Sequence, residues 1–224
     1  MIPRILIDKA DTPGGGKELK LYQHDKDFII VAGTLELMNS RAHASEDDLA
    51  KLSVQKIIGQ ENPRVLVGGL GMGFTLRAAL DGLPETAEVF VAEIVPAVVK
   101  WNHGVLGGLA GNPLADKRVQ VCEVDAAELI KKSKNSFNAI ILDMDNGPEG
   151  LSLKSNDWFY GFKGLSVISG ALRSGGVLGI WSASKDDRLT IRLKTVGFLV
   201  EEVRARACPG GKGAHHHLWI CVKK

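Results

Sequence analysis

A doubly wound α/β fold with a mostly parallel sheet is the class this sequence predicts, and three observations carry that expectation. Apolar runs rich in β-branched residues alternate with helical patterns from Val65 onward. The first run leads directly into a glycine-rich turn and a helix over residues 63–77, Pro-Arg-Val-Leu-Val-Gly-Gly-Leu-Gly-Met-Gly-Phe-Thr-Leu-Arg. Acidic residues, Glu93, Asp125 and Asp143, then stand at the ends of later runs, where a parallel sheet leaves its ligand crevice.

Taking the elements in order, the turn at Pro13 and the three glycines after it precede segments 18–22 and 28–31, which flank Gln-His-Asp-Lys-Asp and read as a hairpin. With a short strand at 34–38 they predict a small β appendage over residues 1–44, leaving 45–224 as the main domain. Ser45, followed by Glu46, Asp47 and Asp48, reads as an N-cap with acids in the first turn of a helix reaching residue 58. The Val65 strand and glycine turn give way to a helix at 74–80, which Gly82 and Pro84 stop.

A second buried strand, 88–93, ends on Glu93, about twenty residues past the glycine turn, an offset at which a carboxylate can accept from ribose hydroxyls. The other reading of Glu93 is an exposed acid at a strand end. A helix at 96–103 and a glycine-rich loop lead to a third strand, 118–124, and to Asp125-Ala126. Asp125 suits either an adenine amino group or the cap of the helix 126–131. The fourth strand, 137–142, releases Asp143 and Asp145 into a turn, and two carboxylates beside the crevice read as functional.

A helix at 160–172, a turn at 174–176, a fifth strand at 177–181 and a helix at 186–196 follow. Strands 198–206 and 215–222 close the sheet as an antiparallel hairpin, making seven in all. His215, His216 and His217 lie in that last strand, where neighbours point to opposite faces and no Cys or acid has ligand spacing, so no metal is expected.

The totals exclude several classes. With 224 residues, 45% of them hydrophobic, and a net charge of +2, the chain can bury one substantial core and shows no basic face for nucleic acid. Cys122, Cys208 and Cys221 are odd in number and lack C-x-x-C spacing, which argues against a disulfide framework or a zinc knuckle. No apolar run approaches membrane-spanning length and the N-terminal pattern is not that of a signal peptide, so a cytoplasmic protein acting on a small molecule is expected.

The glycine spacing fits neither the dinucleotide fingerprint nor the P-loop, because no third glycine and no Gly-Lys-Ser/Thr fall where those motifs need them. A G-x-G-x-G turn with an acid at the next strand end resembles the S-adenosylmethionine-dependent methyltransferase fold, a Rossmann-like sheet. More specifically, residues 63–151 resemble the polyamine aminopropyltransferases, the spermidine and spermine synthases. The resemblance rests on the glycine turn with its Leu76-Arg77, on Glu93-Ile-Val-Pro96-Ala-Val-Val, on Asp116-Lys-Arg118-Val, on Asp125-Ala126 and on the run from Asp143 through Gly147-Pro148 to Leu151. It implies a seven-stranded methyltransferase-type sheet with an N-terminal β appendage, and S-adenosylmethionine or its decarboxylated form as cofactor. It places Gly69, Gly71 and Gly73 at the cofactor's amino-acid end, Glu93 at the ribose, Asp125 and Ala126 at the adenine, and Asp143 with Asp145 at the reacting centre. A homodimer is also an expectation from resemblance.

Three departures direct the choice of reaction. Met72 stands where the family has an aspartate that holds the amine of the decarboxylated donor; Asp143 and Asp145 are two apart rather than three; and residues 39–46 replace an acidic signature with one containing Arg41 and His43. Positive groups there would repel a polyamine in a closed pocket and suit an acceptor bearing a carboxylate. The sequence reading is therefore methyl transfer to a small acceptor, with Asp143 orienting or deprotonating the nucleophile and Arg41 and His43 in the acceptor pocket. Aminopropyl transfer and cofactor binding without catalysis are its alternatives, and the glycine spacing disfavours a nicotinamide oxidoreductase.

Overall fold

The computed structural model describes residues 3–13, 17–144 and 157–224. Strands β1 (Ile5–Ala10), β2 (Leu19–His24), β3 (Asp27–Ala32) and β4 (Leu35–Asn39) form an antiparallel four-stranded sheet in chain order. β1 is an addition to the elements read from sequence. Ile5, Leu6 and Ile7 are all exposed, so no inward-outward alternation marked the strand.

The second sheet has seven strands in the order β10-β11-β9-β8-β5-β6-β7. β5 (Arg64–Gly68), β6 (Glu88–Ala92), β7 (Val119–Cys122), β8 (Phe137–Leu142) and β9 (Leu172–Ser182) run parallel. β10 (Phe198–Cys208) and β11 (Lys212–Lys223) form the antiparallel hairpin, with β11 against β9. The chain leaves β5 toward β6 and β7 on one side and returns to β8 and β9 on the other. That reversal opens a crevice at the carboxyl ends of β5 and β8.

Alternation along the central strands sends side chains into two cores, which is why their middles are apolar on both faces. Val65, Val67, Val89, Val91, Ala139 and Ile141 face one layer, which includes Leu49 and Val54 of helix α1 (Ala44–Gln55), Leu76 and Leu80 of α2 (Phe74–Gly82) and Val98 and Val99 of α3 (Pro96–His103). Leu66, Ile140, Leu142, Leu178 and Ile180 face the other, against α4 (Ala126–Lys132), α6 (Phe162–Ala171) and α7 (Asp187–Val196). Where sequence suggested one helix over 160–172, a short helix α5 (Asp157–Tyr160) precedes α6, and β9 starts at Leu172, running past Gly175 in the left-handed region (φ 69°).

The start of α1 also differs from expectation. The helix begins at Ala44, His43 occupies the capping position without a side-chain cap bond, and the Ser45 hydroxyl, fully buried, is turned to other partners. α1 lies across β9 and β10, and Gly179 of β9 makes room for it. A Cβ there would stand 2.3 Å from Ser53 Oγ and 3.3 Å from Leu49 Cδ1. Gly179→Ala is therefore expected to lower the unfolding free energy by about 1–3 kcal/mol through overpacking; an unchanged urea midpoint would contradict this account of how α1 is seated.

Candidate active site

The crevice is built from the backbone outward. In the β5–β8 register Gly68 faces Leu142, and Asp143 N–H donates to the Gly68 carbonyl at 3.0 Å, so Asp143 emerges beside the glycine turn. Gly69 has φ 88°, and a Cβ on it would lie 2.5 Å from the Asp143 carbonyl oxygen, so that closeness requires glycine. Gly71 and Gly73 also have positive φ, and Gly73 opens α2. Thr75, buried in the first turn of α2, donates from Oγ1 to Asp143 Oδ2 and fixes the carboxylate.

A cavity of about 250 Å³ lies over this turn. Glu36, Leu37, Met38 and Asn39 of β4 with Ala42 form one wall, and Leu70, Gly71, Met72 and Phe74 form the floor. Glu46 of α1, Asp143, Trp181 and Ala183 at the end of β9, and His216 of β11 complete it. The described lining thus has the carboxylates Glu36, Glu46 and Asp143, a set of aliphatic and aromatic side chains, and neither Lys nor Arg.

Those acids sit in a costly environment. Burial raises the Asp143 carboxyl to about 6, opposed by the Thr75 hydrogen bond and reinforced by the charge of Asp47. Burial likewise raises Glu46, to about 8, with the nearby Asp143 charge adding to it and the Ser45 hydrogen bond opposing it. A cation brought between them would relieve both effects.

The other residues singled out in the sequence are placed as follows. Glu93, 8% exposed, accepts from Leu70 N–H at 3.1 Å and Val95 N–H at 2.8 Å, so its carboxylate is tied to the glycine turn, with burial raising its pKa. Asp125 caps α4, accepting from Ala127 N–H at 2.8 Å; the capping alternative is thus realised in this structure. Ala126 is buried beside Gly68. Asp145 lies outside the described residues.

Arg41 and His43 do not line the cavity. Arg41 is exposed and pairs with Asp27 at 3.2 Å. His43 stacks on Phe74 with ring centroids 4.0 Å apart and meets Asp47 at 3.1 Å. The cationic acceptor pocket expected from residues 39–46 is therefore replaced by an acidic one, because the chain turns Arg41 toward β3 and Glu46 inward. His215, on the outer side of β11, contacts Arg204, whereas His216 faces Trp181. Among the described residues no group of three His, Cys, Asp or Glu side chains is placed to hold a metal ion, and no helix is long and apolar enough to cross a membrane.

Glu46, Glu36, Trp181 and His216 line the cavity, with Ser45 bonded to Glu46 behind it, and the sequence singled out none of them for the site. The acids after Ser45 carried the signal, but they also fit an ordinary helix start.

Residues 43–184, more than half of the chain, match the spermine/spermidine synthase domain. The chain belongs to that family. A polyamine aminopropyltransferase of Prochlorococcus marinus (strain MIT 9312) is 29% identical over 101 residues, a stretch that is 45% of this chain and 35% of that protein. The chain thus matches about a third of the length of this curated relative. The fold agrees with that of spermidine synthase from Thermotoga maritima, with a TM-score of 0.75 at 18% identity over 98% of this chain and 73% of the other. A spermidine synthase crystallised with the transition-state analogue AdoDATO gives 0.73 at 17% identity over 98% and 72%. At these identities the structural likeness establishes the fold alone.

These matches overturn methyl transfer as the main reading. The family is that of the spermine and spermidine synthases, and the curated relative is an aminopropyltransferase. Met72, Arg41 and His43 point to methyl transfer only as single positions, whereas the cavity draws its acids from β4, α1 and the end of β8.

The raised carboxyls have a consequence for stability. Carboxyls that bind protons more tightly folded than unfolded make stability fall as pH rises, beginning near the unfolded value of about 4. The fall continues through about 6 for Asp143 and about 8 for Glu46, with Asp47 and Glu93 acting in the same sense. The melting temperature is expected to decline across that window, and less in Glu46→Gln; equal pH dependence in the two proteins would contradict the burial of Glu46.

Proposed function

We propose that this chain is a polyamine aminopropyltransferase of the spermidine synthase type, with decarboxylated S-adenosylmethionine as donor and an aliphatic diamine as acceptor. The observation that carries the reading is the acidic, apolar-walled cavity at the tips of β5 and β8, in which the half-buried Glu46 and Asp143 have no Lys or Arg partner among the described lining residues. An extended alkyl diamine presents methylene groups to Leu37, Met38, Met72, Phe74 and Trp181 and ammonium groups to the acids. The relative's name supports the same class.

The residues present suit the adenosyl donor. The glycine turn offers backbone free of side chains, and Glu93 presents a buried carboxylate next to it for the ribose. Asp125 and Ala126 are assigned to the adenine edge. When bound, the donor supplies a carbon made electrophilic by its bond to a sulfonium. Asp143, held by Thr75, accepts the proton that the attacking ammonium must lose and orients the free amine, and Asp145 assists it. The cavity walls exclude water from the attack and align its partners. Met72, buried with 4% exposure, brings no charge to the turn, so the acidic functions fall to Glu36, Glu46 and Asp143.

The same proposal takes residues 1–44 as a β appendage supplying one cavity wall and 45–224 as the catalytic domain, in a cytoplasmic setting. Homodimer formation is supported by Ile5 and Leu6, exposed on the edge strand β1.

Incubation with decarboxylated S-adenosylmethionine and putrescine is expected to yield spermidine. Asp143→Asn is expected to lower kcat about 10²- to 10⁴-fold, the range for a positioned proton acceptor. Absence of transfer to diamines of different lengths, under conditions where the donor's thioether product raises the melting temperature, would contradict the proposal.

A further inference from the structure

Ser45 is the meeting point of groups from distant parts of the chain. Its Oγ donates to Glu46 Oε2 at 2.5 Å, accepts from Trp181 Nε1 at 3.0 Å and lies 2.8 Å from Nδ1 of His216. A hydroxyl has one proton to give and two lone pairs to fill. Trp181 can only donate, so it occupies one lone pair in every state. One proton and one lone pair remain for Glu46 and His216, and only two arrangements satisfy all the groups. In the first, Ser45 donates to an ionised Glu46 and accepts from Nδ1–H of His216. In the second, a protonated Glu46 donates to Ser45, and Ser45 donates to a bare Nδ1.

The surroundings keep both arrangements within reach. Glu46 shares the cavity with Asp143 from β8 and Glu36 from β4, and Asp47 follows it on α1. His216 is half-buried, lies edge-on to Trp181 with centroids 4.6 Å apart and has His217 beside it on β11. Burial lowers the imidazole's pKa, which favours the neutral ring that can accept.

Resting on the aminopropyl reading, we propose that Glu46, Ser45 and His216 form a proton relay that removes from the cavity the proton lost by the attacking amine. In the transfer, the amine nitrogen's lone pair forms the new C–N bond. The C–S bond breaks, and its electron pair leaves with sulfur as a neutral thioether. Asp143 takes the proton shed by the ammonium and yields it, across the cavity the two carboxyls share, to Glu46. From Glu46 it passes to Ser45 Oγ as the Ser45 proton passes to His216 Nδ1, and His216 releases its Nε2 proton to solvent. Tautomer exchange of the neutral ring with solvent then restores the starting arrangement. Asp143 and Thr75 touch no member of this chain by hydrogen bond in the structure, so the relay is a separate contribution from β11 and α1.

The relay has a signature that a merely structural serine lacks. As pH rises through the Glu46 titration, His216 Nδ1 gains a proton, opposite in sense to a free imidazole. Nitrogen-15 NMR of the histidine-labelled protein is expected to show this switch in wild type and its loss in Ser45→Ala and Glu46→Gln; the nearly isosteric Glu46→Gln serves where Ser45→Ala fails to fold. With putrescine and the aminopropyl donor, Ser45→Ala and His216→Gln are expected to lower kcat about tenfold or more and to alter its pH profile, while KM for the diamine holds. A Nδ1 state that is fixed with pH, or that switches identically in Glu46→Gln, refutes the relay whatever the turnover. Wild-type turnover with kcat unchanged in both variants also refutes it. Wild-type protein that switches but transfers no aminopropyl group refutes the underlying reaction instead.

Discussion

Two half-buried carboxyl groups sharing one cavity, without a cation partner among the described lining residues, are the constraint on which this structure turns. Burying an unpaired carboxylate is unfavourable enough that the group gives up its charge or finds a positive partner. Glu46 and Asp143 show the first response in their raised proton affinities. Under the proposed aminopropyl reading such a pair has a reason to be kept, since a diamine acceptor would bring the missing positive charge. On that reading the arrangement trades stability in the empty protein for selectivity toward cations, a pattern common at functional sites.

The fold delivers the pair from opposite sides. Asp143 is fixed by strand register: β8 lies beside β5, and the first residue past its end meets the glycine turn. Glu46 arrives from α1, whose height over the sheet is set by the missing side chain at Gly179. β4 closes the remaining side with Glu36 and Met38, and Met38 rests over Gly71, where a Cβ would come within 3.2 Å of it. The four-stranded sheet therefore contributes directly to the cavity, and the interval from Asn39 to Ala44 positions both the wall and the first acid.

Much of the fold was legible because its signals are local. Uninterrupted apolar runs such as 139–142 require cover on both faces, and the glycine turn after β5 marks the crevice end. Asp143 was legible for the same reason, as a residue fixed by strand and turn. Glu46 was not, because an acid following Ser45 is what a helix start offers in any case, and only tertiary packing turns it inward. His216 was hidden in a triplet whose alternation was clear but whose inner partner, Ser45, lies 171 residues away. Arg41 misled in the opposite direction, since its pairing with Asp27 across the appendage removes it from the cavity. The methyl-transfer expectation followed from counting charge along the chain when the charge that matters is gathered from three separate elements.

The central proposal is that the half-buried acids Glu46 and Asp143 take up a cationic amine. It is tested most directly by titrating the protein with putrescine in a calorimeter at pH 7, in buffers of differing ionisation enthalpy. Because a bound cation favours the ionised carboxylate, the account predicts net proton release on binding, diminished in Glu46→Gln. Binding with no buffer dependence, or with proton uptake, would contradict it.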